Sequence, residues 1–498
     1  MTKKSEEQKS KILVAAPNKS QEGLNVKKDE NFSQWYSEIL DKAEVTDLRY
    51  NVKGFVVIRP WGAMTIENMY KLYEKALQKK GHKPTFFPVV IPETNFKKEA
   101  NHVKGFKPEV FWLEKIKGED RLALRPTSET AMYQMYSLWI RSHRDLPLKL
   151  YQRANVFRYE TKATRPLIRA REFYWLEAHD CFATKEQAET QVQEDIQTTE
   201  EVMHQKFKIP FLPMKRPEWD KFAGATYTVA SDVLMPDGKL IQQPSTHLLE
   251  PSFAKSFNIK FKDDDGKEKF VWQTCYGPAI SRILASVISM HGDNSGLIMP
   301  FAISPVQVIL IPIYNQENKE KVLKEIEKIN SKLLKLGITS EIDFSEKRPG
   351  EKYHYWELKG VPFRLEIGEK ELQEKNLTLH IRDLNKREKI KISELKKILE
   401  LGKEFDQRLG KKAEEFMKNK IVNCKTKSDL KKALQDKKIA RTNFCSVEKN
   451  GTKCAEVIEK EFNAEVRGIL ATKKEKPFGN CIICGKVSKE VVYIGKSY

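Results

Sequence analysis

At 498 residues the chain is past the size at which one hydrophobic core stops growing, so two or three domains are expected. Its 40% hydrophobic and 32% charged residues supply a packed core and exclude wholesale disorder. The 89 Lys and Arg against 69 Asp and Glu leave a net charge of +20, a field that draws polyanions, although a basic proteome background without ligand meaning gives the same figure.

Residues 1–30 are polar and lysine-rich, without periodicity or the apolar middle of a signal peptide, and read as a flexible tail. With no run of about 18 apolar residues, a cytoplasmic protein without a membrane span is expected. From Met64 to Gln78 the residues Met69, Leu72, Tyr73, Ala76 and Leu77 fall at helical spacing before a stop at Gly81, and Thr85–Ile91 reads as extended. Between Lys149 and Asp180 two strands flank the polar stretch Thr161–Ile168, which predicts an antiparallel hairpin with a long tip. Alternation puts Arg158 and Glu160 on one face of the first strand, and Phe173, Trp175, Glu177 and His179 on one face of the second. Gly277-Pro278-Ala279-Ile280-Ser281-Arg282 leads into a helical run, Ile283–Met290.

After Pro305 the texture changes. The apolar run Val306–Ile313, a helix through Val322, Ile326, Ile329 and Leu333, and alternating strands at Val361–Ile367 and Leu377–Ile381 predict an α/β domain over 305–410. Arg364 and Glu366 share the face opposite Leu365, as RNA contacts would require; a solvated strand face has the same pattern. A small lysine-rich domain over 411–498 ends in a cysteine cluster. Seven cysteines, an odd number in a large chain, argue against a disulfide framework. Eight residues lie between Cys445 and Cys454, and two between Cys481 and Cys484. Four thiolates brought together would hold zinc tetrahedrally; the short spacing is a strong ligand signal and the long one is not.

Val156-Phe157-Arg158-Tyr159-Glu160 with Arg169-Ala170-Arg171-Glu172-Phe173 resembles motif 2 of class II aminoacyl-tRNA synthetases, and Gly277 to Arg282 resembles motif 3. The helix from Met64 with the strand up to Pro88 resembles motif 1, which implies a homodimer; an ordinary core helix fits the same pattern. Arg125-Pro126-Thr127-Ser128-Glu129-Thr130, Glu172 to His179 and Gln242-Gln243-Pro244-Ser245-Thr246-His247 are similar to prolyl-tRNA synthetases of the archaeal and eukaryotic type. The resemblance runs from about residue 31 to Tyr498. It implies an α+β class II catalytic domain over 31–304 (antiparallel sheet with helices), an anticodon-binding domain over 305–410 and a zinc-binding-like domain over 411–498.

The implied reaction makes prolyl-adenylate from L-proline and ATP and passes proline to the 3′ end of tRNA(Pro). Adenylate formation joins two anions, which suits fixed arginines and Mg2+ and needs no dedicated base. By resemblance, Arg158 contacts the α-phosphate, Glu160 the adenine amine, Arg169 the terminal phosphate and Arg282 the nucleotide's far end. Phe173 offers the adenine a ring, and Gln242 and Ser245 complete the nucleotide set, with Gln242 near magnesium. Thr127 and Glu129 receive the proline ammonium; Trp175, His179 and His247 line the ring pocket, with Glu177 and Arg158 in the same set. Singly, Trp175, His179 and His247 read as core residues and Glu129 as a helix-start carboxylate; as an ordered set they read as a site.

The closing domain implies a structural Zn2+ on Cys445, Cys454, Cys481 and Cys484. Three departures stand out: the long Cys445–Cys454 gap, one extra residue between Gly277 and Arg282, and Glu369-Lys370 where the family carries Pro-Arg. Two other readings compete. A threonyl homologue would chelate zinc in its amino-acid pocket through Cys and His, a set not expected beside the aromatic strand here. A catalytically dead paralogue would have lost the phosphate-binding arginines, whereas Arg158, Arg169 and Arg282 are all present.

Overall fold

A computed structural model describes residues 23–100, 109–249 and 251–498. The first 22 residues of the expected tail lie outside this set. The tail as expected is too long, because Lys28 is already docked, donating to the Gly292 carbonyl at 2.6 Å and to that of Met290 at 3.3 Å.

Helix α1 (Phe32–Lys42) is capped by Asn31, which accepts from the Gln34 amide at 3.1 Å, and it buries Trp35, Tyr36, Ile39 and Leu40. Helix α2 (Pro60–Lys79) begins ahead of its apolar periodicity, since Pro60 at the first position has its φ preset and no N–H to satisfy. Of the stretch Thr85–Ile91 expected to be extended, only its end is strand, in Val90–Pro92; a short strand, Lys83–Pro84, precedes it, and Phe86 between the two is 87% exposed. Helix α3 (Glu129–Trp139) follows, then the hairpin of β1 (Leu148–Phe157) and β2 (Glu172–Phe182) with Val156 opposite Phe173. Helix α4 (Lys185–Thr199) starts on a Thr184–Gln187 capping box. Strands β3 (Leu212–Lys215), β4 (Ala225–Leu234), β5 (Lys239–Leu249) and β6 (Trp272–Gly277) lead into helix α5 (Ile280–His291).

Within the catalytic sheet the order β3-β4-β5-β6-β2-β1 is antiparallel, and the short strand Lys83–Pro84 adds parallel to β1 at the edge. One face is covered by α1, α2 and α5, whose Trp35, Tyr73, Leu77, Ile283, Leu284 and Val287 are fully or almost fully buried in one core. Each such aliphatic side chain stabilises the fold by about 1.5–3 kcal/mol.

The second unit has β7 (Val308–Ile313), α6 (Lys319–Lys335), β8 (Ser340–Ile342), α7 (Pro349–Leu358), β9 (Phe363–Gly368), β10 (Asn376–Ile381) and β11 (Lys386–Lys391). Its sheet runs β8-β7-β9-β10-β11, parallel among the first three strands and antiparallel beyond. Helix α8 (Lys397–Asn419) continues unbroken through residues 410 and 411, so a rigid element joins the second unit to the third. The third unit contains β12 (Ile421–Cys424), β13 (Ile439–Phe444), α9 (Thr452–Phe462), β14 (Glu465–Leu470) and β15 (Glu490–Ser497). Its strands do not make a separate sheet. β14 pairs with β3, and β15 with the start of β5, so one eleven-stranded sheet runs through both units. No helix among the described residues is long and apolar enough to cross a membrane.

Candidate functional site

Strand periodicity and one bulge create the site. Across the sheet, His247, Cys275 and His179 form one rung, and the next holds Ser245 and Gly277. Side chains two apart on a strand share a face, so Trp175, Glu177 and His179 belong with this set. Plain alternation would send Gln242 and Ser245 to opposite faces. The register of β5 against β4 shifts between these two residues, at Gln243 and the donor-less Pro244, and brings Gln242, Ser245 and His247 onto the same cavity. Gln243 consequently points the other way, donating to the Arg282 carbonyl and to Ser286.

The cavity measures about 360 Å³ and is bounded by Thr127, Glu129, Arg158, Trp175, Gln242, Ser245 and His247 among the expected residues. The Arg158 guanidinium lies 5.0 Å from the Trp175 ring and 5.3 Å from Phe173, and its Nε donates to the Pro126 carbonyl at 3.2 Å. The Arg158 cation and the aromatic wall of Phe173 and Trp175 therefore stand on the same side of the sheet. Burial lowers the pKa of Arg158, though a guanidinium remains charged at any working pH.

Glu177 and His179 do not line the cavity. They are 1% and 0% exposed and form the layer behind it, since Thr127-Ser128-Glu129 at the start of α3 lies over them. Glu177 accepts from Thr127 Oγ1 at 2.6 Å and also binds the Ser128 hydroxyl. Burial alone would raise the Glu177 pKa, but His179 and the two hydroxyls hold it below the usual carboxylate range. Burial alone would lower that of His179, and the Glu129 and Glu177 carboxylates outweigh it, favouring the imidazolium. Among the described residues Glu129, 2% exposed, takes its hydrogen bonds from neutral donors, the Thr127 hydroxyl and the Cys275 thiol at 3.3 Å, with the His179 ring within 4.8 Å behind it. A buried carboxylate with neutral partners on the edge of a cavity is suited to receive a small cation. His247 sits between Thr228 (2.8 Å) and Ser245 (3.1 Å); burial, then the charges of His179 and Arg216, push its pKa down to about 3, so it presents a neutral ring.

The residues expected to hold the nucleotide lie beside this cavity, around Phe173 and a neighbouring cleft. Arg282 is 5.9 Å from the Phe173 ring, and its pKa is lowered to about 10 by burial and by the nearby Arg158 and Arg169. Phe173 is thus flanked by two guanidiniums. Arg169 donates to Glu160 at 3.3 Å and to a terminal oxygen of Tyr498 at 2.6 Å. With Gln242, Arg467 and Tyr498, Arg169 and Arg282 border a cleft of about 190 Å³ between the catalytic and C-terminal units. Cations gathered around a narrow cleft suit a polyphosphate.

Several wall residues carry no recognisable motif. Phe222, 4.8 Å from the His247 ring, comes from the loop before β4, and alternation says nothing about loops. Gly277 matters through what it lacks: a Cβ there would lie 2.5 Å from Trp175 Nε1, so only glycine lets the indole lie against β6. One expectation is corrected. A Cys–His set does accompany the aromatic strand, because Cys275 pairs across β6 and β2 with His179, and these two with Glu129 place donor atoms within 4.8 Å of one another. Another correction concerns Arg364 and Glu366, which are 5% and 9% exposed. Arg364 stacks on Tyr353 of α7 at 4.0 Å and binds Glu366 at 2.9 Å, so its fork is spent inside the domain.

The four C-terminal cysteines converge with all sulfurs within 4.8 Å of one another. The long first gap is taken up by a 3-10 turn at Lys449–Gly451, which returns Cys454, on the first turn of α9, to 3.7 Å from Cys445. Four sulfur donors at such separations fit a tetrahedral zinc ion.

Comparisons with known proteins address the whole chain. The model of the tRNA synthetase class II core domain (G, H, P, S and T) matches residues 111–291, that of an anticodon binding domain 307–401, and that of the prolyl-tRNA synthetase C-terminal domain 427–498. A proline–tRNA ligase of Thermofilum pendens is 48% identical over 486 residues, covering 96% of this chain and 100% of that protein. One from Pyrococcus abyssi is 41% identical, with coverage of 94% and 98%. The structure of Giardia lamblia prolyl-tRNA synthetase in complex with prolyl-adenylate is similar at a TM-score of 0.90 and 37% identity, covering 95% of this chain and 99% of that one. That of the Cryptosporidium parvum enzyme with halofuginone and AMPPNP gives 0.88 and 32%, covering 96% and 100%.

Proposed function

The chain belongs to the proline–tRNA ligase family of class II aminoacyl-tRNA synthetases, and from that premise we propose how its residues carry out the reaction. The enzyme activates L-proline with ATP and transfers it to the 3′ end of tRNA. Glu129 and Thr127 receive the secondary ammonium. The ring methylenes lie against Trp175, with neutral His247 closing the pocket, and Glu177 and His179 fix Thr127 and Glu129 from behind. A neutral wall is the right one here, since a charged imidazole would repel the ammonium.

Arg158 bridges the proline carboxylate and the α-phosphate. The carboxylate oxygen attacks phosphorus, pyrophosphate leaves, and the adenylate remains beside the same guanidinium. Proline supplies its own ionised nucleophile, so the protein's part is to align two anions and offset the charge that develops. Phe173 stacks the adenine, Glu160 takes its amine, and Arg282 and Arg169 hold the terminal phosphates, with Gln242 and Ser245 on the opposite wall. Mg2+, carried on the phosphates near Gln242, would neutralise further charge. In the second step the tRNA 3′ ribose hydroxyl attacks the carbonyl carbon and AMP departs.

The observation that carries this reading is the Arg158 guanidinium 5.0 Å from the Trp175 indole over the cavity that holds Thr127 and Glu129. Zn2+ on Cys445, Cys454, Cys481 and Cys484 would fasten the last unit. The protein works as a cytoplasmic homodimer; exposed Phe86 and Val89, beside the edge strand at 83–84, are apolar surface consistent with a partner copy. The test is ATP–pyrophosphate exchange with each amino acid in turn. Proline alone should support rapid exchange; exchange with threonine but not proline, or with none, overturns the assignment.

A further inference from the structure

Gln242 is held by a relay that begins in the C-terminal unit. Its Oε1 accepts from Arg216 Nη2 at 3.2 Å. A guanidinium only donates, so this contact fixes which end of the amide faces Arg216 and leaves the NH2 group for the cavity. Arg216 is itself locked: Nη1 and Nη2 donate to the two Asp232 oxygens at 2.8 and 2.7 Å, and Nη1 also reaches the Arg467 carbonyl at 2.8 Å. Arg467 clamps the same carboxylate from the other side, Nε at 2.8 Å and Nη2 at 2.9 Å. Asp232 is 0% exposed, and it lies directly opposite Gln242 in the β4–β5 register. Burial alone would raise the Asp232 pKa, yet the two guanidiniums hold it down, at about 2.

The backbone is shaped to make this contact. The β14–β15 register shifts between Val466 and Gly468, so Arg467 is the extra residue of a bulge, a device that re-aims a side chain. Gly468 has φ +118°, and a Cβ on it would lie 2.0 Å from the Lys215 carbonyl, so glycine is needed for β14 to pass this close to β3.

We propose that Arg467 is a positioning residue for adenylate formation, acting through Asp232 and Arg216 to fix the Gln242 amide on the nucleotide wall. The inference rests on the reading of Gln242 as a nucleotide contact. It makes the C-terminal unit part of the activation site. Arg467 also pairs with the half-exposed Glu465, and Arg216 Nε lies 3.6 Å from Asp220. Removing Arg467 leaves the bidentate Arg216–Asp232 pair and frees a carboxylate that solvent already reaches, so the fold should survive, whereas removing Asp232 would take the shared buried counter-ion from both guanidiniums.

The experiment is pyrophosphate exchange on the full-length enzyme and on Arg467→Met, Gln242→Ala and the double variant. Arg467→Met should raise KM for ATP by about ten-fold while KM for proline changes less than about two-fold, the range expected when a contact is loosened rather than deleted. In the Gln242→Ala background the same substitution should cost less than about two-fold, because its target has gone. A loss of domain packing alone would add equally in both backgrounds, and additivity, or an unchanged KM for ATP in Arg467→Met, overturns the relay. If Gln242→Ala itself leaves KM for ATP unchanged, the reading of Gln242 falls first and the relay with it. Should Arg467→Met not fold, Arg467→Lys, which keeps the charge but not the fork, is measured in the same cycle with the same expectations.

Discussion

At the scale of single residues, the pocket depends as much on a missing side chain as on those present. Gly277 allows the Trp175 indole to lie against β6, where a Cβ would approach Nε1 to 2.5 Å. Gly277→Ala should displace the ring and raise KM for proline at least about ten-fold, since a shift of about 1 Å can cost a hundred-fold. KM for ATP should stay within about two-fold; an unchanged KM for proline would mean that Trp175 is not the wall. Of the proposed site residues, Arg158 and Trp175 were legible because alternation along the hairpin strands assigns each to a face, whereas Thr127 and Glu129, at the start of a helix, were legible only through the resemblance of the string Arg125 to Thr130. Glu177 and His179 were placed too near the substrate. Alternation reports a face, whereas depth depends on what else packs on it, and the segment that covers them arrives from α3.

At the scale of elements, the hairpin was the clearest prediction, since period-two patterning fixed both strands and their pairing. The β5 bulge was not legible in advance, although Pro244 inside a strand was its signal; without it Gln242 and Ser245 cannot share a wall. Beneath that strand Asp195 of α4 accepts from Thr246 and Gln191, near Asp180 and His82. Burial, and then the charge of Asp180, raise the Asp195 pKa to about 7. Between about pH 4, where an unfolded Asp titrates, and pH 7 the folded state keeps a proton that the unfolded state has lost, so stability from this group falls as pH rises and levels off above 7. Asp195→Asn removes this slope. Denaturant unfolding should show the variant gaining on the parent by up to about 1.4 kcal/mol per pH unit across that window, and a gap that stays constant from pH 5 to pH 8 would contradict the shift.

The zinc-binding-like turn is an element of the same kind, in which geometry rescues a spacing that sequence alone left open. Gly451 ends the 3-10 turn with no room for a side chain, its Cβ position lying 1.9 Å from the Ser446 carbonyl. Gly451→Ala should push Cys454 away from Cys445 and reduce bound zinc, measured by elemental analysis of purified protein, from about one ion per chain towards none. Retention of a full ion by the variant would show that the turn does not set the site.

For the whole molecule, changes in texture along the chain led to the expectation of three units, but the way their strands join was not readable. Pairing between β14 and β3, and between β15 and β5, links positions more than two hundred residues apart, and no local pattern in either strand names its partner. The consequence is functional. The last unit extends the catalytic sheet and brings Arg467 and Tyr498 beside Arg169, Arg282 and Gln242. On this reading nucleotide phosphates and proline meet over one face of one sheet. A crystal structure with a non-hydrolysable prolyl-adenylate analogue decides it: the phosphate analogue should lie on the Arg158 guanidinium and the pyrrolidine ring against Trp175, between Glu129 and His247. A ligand whose ring lies away from Trp175, or whose phosphate position avoids Arg158, would contradict it.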